Sequence, residues 1–169
     1  MFTRAVLAFL AMPAIVGILV PLWIARADPW RGPGHRAGAV LASCGLAGLL
    51  WCVRDFYAIG KGTLAPWSPP RRLVVVGLYR FARNPMYLSV LVLVAGIAAW
   101  RGSPAVALYA TALALAFHLR VVLNEERWLA RTFPEWDAYA RAVPRWLPRL
   151  APPRRGWGHA RRAPSRFRP

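Results

Sequence analysis

Acidic side chains are scarce in this sequence: 6 Asp and Glu stand against 23 Lys and Arg in 169 residues, a formal net charge of +17. Cysteine is scarcer still, with only Cys44 and Cys52, so a small fold stapled by disulfides is excluded. Eight residues apart on one helix, the two would be separated by about 12 Å of rise, too far for a mutual disulfide. They read as small packing residues. The three histidines, His35, His118 and His159, are scattered and do not cluster at zinc-like spacing, so no residue is assigned to a metal. Phosphate-binding patterns are also missing. Gly60-Lys61-Gly62-Thr63 lacks the G-x-x-x-x-G-K-[ST] spacing, and no G-x-G-x-x-G stands between a strand and a helix. Finally, only 17% of residues are charged while 57% are hydrophobic, which excludes a disordered basic protein. A membrane protein with basic flanks or an unusual nucleic-acid binder remains.

The apolar residues fall in four runs. Residues 5–25 are uncharged, and 21 residues suffice to cross a hydrocarbon core of about 30 Å. Pro13 and Pro21 interrupt this run, which a membrane helix tolerates better than a soluble one. It is longer than the roughly 7–15 apolar residues of a secretory signal, so a span is expected rather than a cleaved leader. The other runs cover residues 37–53, 85–100 and 104–119. These predict an all-α integral-membrane bundle of about four transmembrane helices.

Basic residues test that count. Eighteen lie at the N-terminus, between 54 and 84, or after Leu123; four lie at Arg26, Arg31, Arg36 and Arg101. By the positive-inside rule an even number of spans puts both termini and the central loop in the cytoplasm. The expected location is the cell or inner membrane. From Arg145 to Pro169 there are eight arginines, no acids and five prolines, a composition that predicts an extended or disordered basic tail. Beside membrane spans, its expected partner is anionic lipid headgroups, and no specific nucleic acid is expected.

Two stretches carry chemistry. In residues 71–87, RRLVVVGLYRFARNPMY, Asn84 and Pro85 read as a helix N-cap and first position. Such a start offers unpaired N–H groups and a positive dipole end to a carboxylate, with Tyr79 and Tyr87 as flanking aromatic faces. The second stretch is Asn124-Glu125-Glu126-Arg127-Trp128-Leu129. A helix beginning at Ser103-Pro104 and running to about Arg131 forms a hairpin with the preceding run through the Arg101-Gly102-Ser103 turn. Measured down from that turn, Tyr87 lies at about 21 Å and Glu125 at about 32 Å. The carboxylates, the tyrosines and the helix start are thus expected around one pocket at the cytoplasmic interface. The bland alternative is pairing of Glu125 and Glu126 with nearby arginines such as Arg127 or Arg131.

Leu73-Val74, Gly77, Tyr79, Arg83-Asn84-Pro85-Met86-Tyr87, Glu125-Glu126-x-x-Leu129, Trp136-x-x-Tyr139 and Val143-Pro144 resemble the isoprenylcysteine carboxyl methyltransferase family. Related integral-membrane phospholipid methyltransferases look similar over the same region, roughly residues 60–148. The resemblance implies a methyltransferase core in residues 60–148; the apolar runs before it give two N-terminal transmembrane helices in 1–59, and composition gives a basic disordered tail in 149–169. The resemblance also implies S-adenosylmethionine as cofactor, held by Leu73, Val74, Tyr79, Asn84, Pro85, Tyr87, Glu125 and Glu126. Glu125 would receive the cofactor's ammonium with Glu126 in support. Family members often carry histidine at the position of Asn84. The arginine that eukaryotic members place one turn before the first glutamate is replaced here by Val121. Arg120 and His118 are the nearest substitutes and join Glu125 as candidate catalytic residues.

The expected activity is methyl transfer to a lipidic or amphipathic acceptor such as a prenylcysteine-like carboxylate. A sulfonium donor is already activated, so catalysis is chiefly positioning, with no metal required. His118 either contacts the acceptor or packs between helices. Two other readings stay open: an NADPH-dependent membrane reductase of the sterol type, and a non-enzymatic membrane scaffold with a lipid- or RNA-binding tail.

Overall fold

The computed structural model describes residues 13–60 and 73–149. The first twelve residues, the basic part of the central loop and the arginine tail beyond 149 lie outside the described residues. What is described is all helical, with no strand among these residues. We number the helices α1 (Ile15–Ala27), α2 (Arg36–Gly60), α3 (Pro85–Arg101), α4 (Pro104–Thr132) and α5 (Trp136–Ala142). A single 3-10 turn, Gly77–Arg80, precedes α3.

Local sequence explains the helix limits. Pro85 and Pro104 occupy first helical positions, where the missing N–H is no loss. Between them Gly102 adopts φ 59°, ending α3 with its N–H on the Ala98 and Ala99 carbonyls. Ser103 then caps α4 by accepting from the Val106 N–H, as its sequence position predicts. In α1 the segment Ile15–Leu19 is wound as a π-helix before α-geometry begins at Val20. Pro21 lacks the donor for the carbonyl four residues back and crowds it, a recognised cause of such irregularity.

Helix α2 buries a narrow stripe of Gly38, Ala42, Gly45, Leu49, Cys52 and Asp55, spaced at three and four residues. A side chain at Gly38 would strike the backbone of Ala99 and Trp100, and one at Gly45 the backbone of Leu93. Small residues therefore let the α2 and α3 backbones approach closely, the packing mode of helices in lipid. Val90, Leu93, Val94 and Ile97 of α3 complete this core with Leu49, Ala25 and Val106. Cys52 is buried as a packing residue, whereas Cys44 stands exposed on the flank of the stripe.

The outward faces are strongly apolar. Val40 of α2 is 64% exposed and Leu108 of α4 is 72% exposed. Bare leucine and valine faces of this extent match a lipid surround. By length and composition two helical segments can cross a membrane, Arg36–Asp55 and Pro104–Thr132, while Ile15–Ala27 and Pro85–Arg101 are shorter apolar helices packed beside them. The 29 residues of α4 reach about 43 Å, more than a hydrocarbon core requires.

At the end of the bundle that holds the α3–α4 turn, Asp28 ties three segments together. Its carboxylate accepts from the Ser103 hydroxyl, the Ala105 N–H at 3.1 Å and the Trp30 N–H at 3.0 Å. The Ser103 bond, followed by the backbone donors and Arg31, holds its carboxyl below the usual value of 3.8 despite partial desolvation.

Candidate functional site

The far end of α4 carries the candidate site, and a local change of winding builds it. Residues Val121–Glu125 form a π-helical segment inside an otherwise continuous helix. At 3.6 residues per turn, positions 120 and 125 would point about 140° apart. The wider π turn brings them to one face instead, and Arg120 Nε donates to Glu125 Oε1 at 2.8 Å. Tyr87, in the first turn of α3, donates its hydroxyl to the same carboxylate oxygen. Arg120 Nε also lies 3.2 Å from the Tyr87 hydroxyl. The Tyr87 ring rests on Phe117 of α4 with centroids 4.4 Å apart.

Glu126 has a different task. It accepts from Arg83 Nη1 at 2.7 Å, from Arg145 Nε at 2.9 Å and from Arg145 Nη2 at 2.7 Å. Its side chain is only 16% exposed, so these charge-assisted bonds are poorly screened. The bond to Glu126 raises the Arg145 guanidinium further above its ordinary range. Main-chain bonds reinforce the clamp: Arg83 N–H donates to the Pro144 carbonyl at 2.8 Å and Arg149 N–H to the Phe81 carbonyl at 3.0 Å. The segment after α5 is thereby laid along residues 81–84.

Beneath this clamp lies a second apolar core of Phe133, Trp136, Tyr139 and Val143, with Leu73, Val75 and Leu129 against it. Tyr139 donates its hydroxyl to the Tyr79 carbonyl at 2.8 Å. Desolvation pushes both phenols upward; for Tyr139 the neighbouring Arg83 opposes the shift without cancelling it. Both therefore remain neutral near pH 7.

The sequence-derived residues thus separate into groups. Tyr87, Glu125 and Arg120 meet directly. Asn84 holds the N-cap position of α3 without capping it by its side chain. Its Nδ2 instead donates to the Arg145 carbonyl at 3.2 Å, which corrects the expectation of a side-chain cap. The helix has its start but not that bond, because the amide is drawn to the returning C-terminal segment. Pro85 and Val74 are buried, and Leu73 packs in the second core. His118 accepts from Trp146 Nε1 at 3.1 Å, so its Nδ1 is engaged by the C-terminal segment. Both glutamates are paired with arginines, as the bland alternative expects, but the partners are Arg83 and Arg145 for Glu126 and Arg120 for Glu125 in place of Arg127 or Arg131. Arg83 and Arg145, the two anchors of Glu126, were missed. Arg83 stands inside the R-N-P motif, the one signal that could have drawn attention to it.

The residues fit a cationic ligand. Glu125 is 30% exposed, and its Oε2 accepts no bond from the described residues, leaving a carboxylate oxygen open to an ammonium. An apolar cavity of about 200 Å³ lies on another flank, lined by Gly45, Leu78, Phe81, Ala82, Leu88 and Ser89 among others. Among the described residues no three His, Cys, Asp or Glu side chains gather as metal ligands.

Residues 36–135 match the phospholipid methyltransferase family. The chain is 36% identical over 117 residues to the cobalt-zinc-cadmium resistance protein CzcN of Cupriavidus metallidurans, covering 68% of this chain and 49% of that protein. It is also 36% identical over 107 residues to the nickel-cobalt-cadmium resistance protein NccN of Alcaligenes xylosoxydans xylosoxydans, covering 62% and 45% respectively. The chain therefore spans about half the length of the curated relatives it matches. No solved structure matches it.

Proposed function

The chain belongs to the phospholipid methyltransferase family, and on that premise we propose that it is an integral-membrane, S-adenosylmethionine-dependent methyltransferase acting on a lipidic or amphipathic acceptor. The observation that carries this reading is the meeting of Tyr87, Arg120 and Glu125 across the π segment of α4. It gathers a carboxylate, a guanidinium and an aromatic face beside a helix start whose first N–H groups have no side-chain cap.

Each residue has a part in holding reactants. The open Oε2 of Glu125 would receive the ammonium of the cofactor, and the start of α3 would offer N–H groups and a positive dipole end to its carboxylate. Glu126 carries the load of the fold: by binding Arg83 and Arg145 it presses the strap of residues 143–149 onto the R-N-P segment. The cofactor supplies a methyl group already activated on a sulfonium. What the protein contributes is alignment of the acceptor with that carbon and exclusion of water. Arg120, 57% exposed, has both terminal guanidinium nitrogens free of bonds to described residues and can orient an anionic acceptor group. His118, tied through Nδ1 to Trp146, leaves Nε2 to face an acceptor from the same end of the bundle.

The reading includes α1 and α3 as further spans beside the two long helices, which gives four spans and cytoplasmic termini by the distribution of basic residues. The arginine tail would then meet anionic headgroups, at about 1 kcal/mol per well-placed basic residue. Membranes containing the protein, incubated with methyl-labelled S-adenosylmethionine, test the proposal. Label is expected in the lipid extract and lost with Glu125→Gln. Labelling no greater than in membranes lacking the protein contradicts it.

A further inference from the structure

Asp55 is a buried carboxylate to which the reading above gives no task. It stands near the C-terminal end of α2 and is only 5% exposed. Its Oδ1 receives Arg54 Nη2 at 3.3 Å, but the Arg54 side chain is 76% exposed and leans over the Trp51 ring. A buried carboxyl group whose charged partner faces solvent is costly to place. The other oxygen, Oδ2, lies in the space that a Cβ on Gly77 would fill, with Asp55 Cγ 3.1 Å and Trp51 Nε1 3.0 Å from that same point. Gly77 has φ 53°, a conformation that side-chain-bearing residues rarely adopt. Two independent restraints, a left-handed backbone and an occupied Cβ position, thus require glycine there.

Gly77 opens the turn Gly77–Arg80, which holds Tyr79. From α5 the turn is gripped at the Tyr79 carbonyl by the Tyr139 hydroxyl. From α2 it is met by the Asp55 carboxylate. We propose that Asp55 is a positioning residue: seated against Gly77, it fixes the Gly77–Arg80 turn, and through it Tyr79, in the arrangement the S-adenosylmethionine site needs. This rests on the methyltransferase reading and assigns to α2 a part in a site otherwise built from residues 73–80, α3, α4 and the C-terminal strap.

The test uses the full chain in detergent with two readouts, amide hydrogen exchange and calorimetric titration with S-adenosylmethionine. Asp55→Ala is expected to speed exchange at residues 76–81 by about tenfold while residues 90–98 of α3 keep wild-type rates. It should weaken cofactor binding by about tenfold, and Asp55→Asn, of the same shape, should restore most of both. Gly77→Ala should weaken binding alone, yet the double variant with Asp55→Ala should be weaker than Asp55→Ala by less than the Gly77→Ala effect, because the clash has gone. Unchanged exchange at 76–81, faster exchange throughout α2 and α3, or strictly additive losses would each overturn the proposal. Normal binding by Asp55→Ala beside a wild type that binds removes the positioning role alone. A wild type that binds no cofactor contradicts the methyltransferase reading, and the positioning role with it.

Discussion

Arg120 and Glu125 meet across five residues of α4, not four, because residues Val121–Glu125 are wound as a π-helix. That single change of pitch sets the carboxylate against Tyr87 on α3 while Glu126, its neighbour, turns to Arg83 and Arg145. Adjacent glutamates are thereby given separate surroundings: Glu125 keeps one oxygen without a bond from the described residues, and Glu126 is closed within the fold.

The division predicts unequal costs. Glu126→Ala leaves two arginines facing a vacated, mostly buried position and should destabilise the protein by about 3 kcal/mol in detergent unfolding. Glu125→Gln disturbs a more exposed pair and should cost less than about 1 kcal/mol of stability. Unfolding midpoints measured side by side check the order. Equal losses would mean that Glu126 is no more structural than its neighbour.

A second prediction concerns Asp28, whose carboxyl is held below 3.8, first by the Ser103 hydroxyl. A group with a depressed folded value stabilises above its unfolded value and loses that contribution as pH falls toward the folded one. Thermal midpoints of wild type should therefore exceed those of Asp28→Asn at neutral pH, with the gap closing as the pH drops below about 3.8. A gap that stays constant with pH would contradict the assignment.

A third concerns helix contact. Gly45→Val places a side chain where the Leu93 backbone already lies, forcing α2 and α3 apart. The overpacking should cost at least about 1–3 kcal/mol. The neighbouring Leu46→Val, on an exposed position, serves as control and should be close to neutral in the same detergent melt.

Much of the architecture was legible because it is written locally. Proline and serine mark the start of α4, glycine ends α3, and the uncharged runs locate the helices, although α2 continues to Gly60 beyond its run. The hairpin and the rise per residue put Tyr87 and Glu125 at one end of the bundle but about 11 Å apart in depth, so their direct hydrogen bond is visible only in the fold. Other features were hidden for physical reasons. The π segment VVLNE has no composition that distinguishes it from α-helix, since packing imposes it. Glu126 finds Arg83 from 43 residues away, so only the folded chain reveals the pairing in place of nearby Arg127 or Arg131. Asn84 kept its predicted place at the helix start, but the C-terminal strap claimed its amide. The contact of Asp55 with Gly77 likewise joins positions that no local pattern connects.

The most direct measurement is calorimetric titration of detergent-purified protein with S-adenosylmethionine, comparing wild type with Glu125→Gln and Tyr87→Ala and running NADPH in parallel. Saturable binding of S-adenosylmethionine by wild type is predicted, weakened by about tenfold or more (about 1.4 kcal/mol) in both variants, with no binding of NADPH. Absence of binding to a folded wild type, or binding that both substitutions leave untouched, would contradict the assignment of this site to the cofactor.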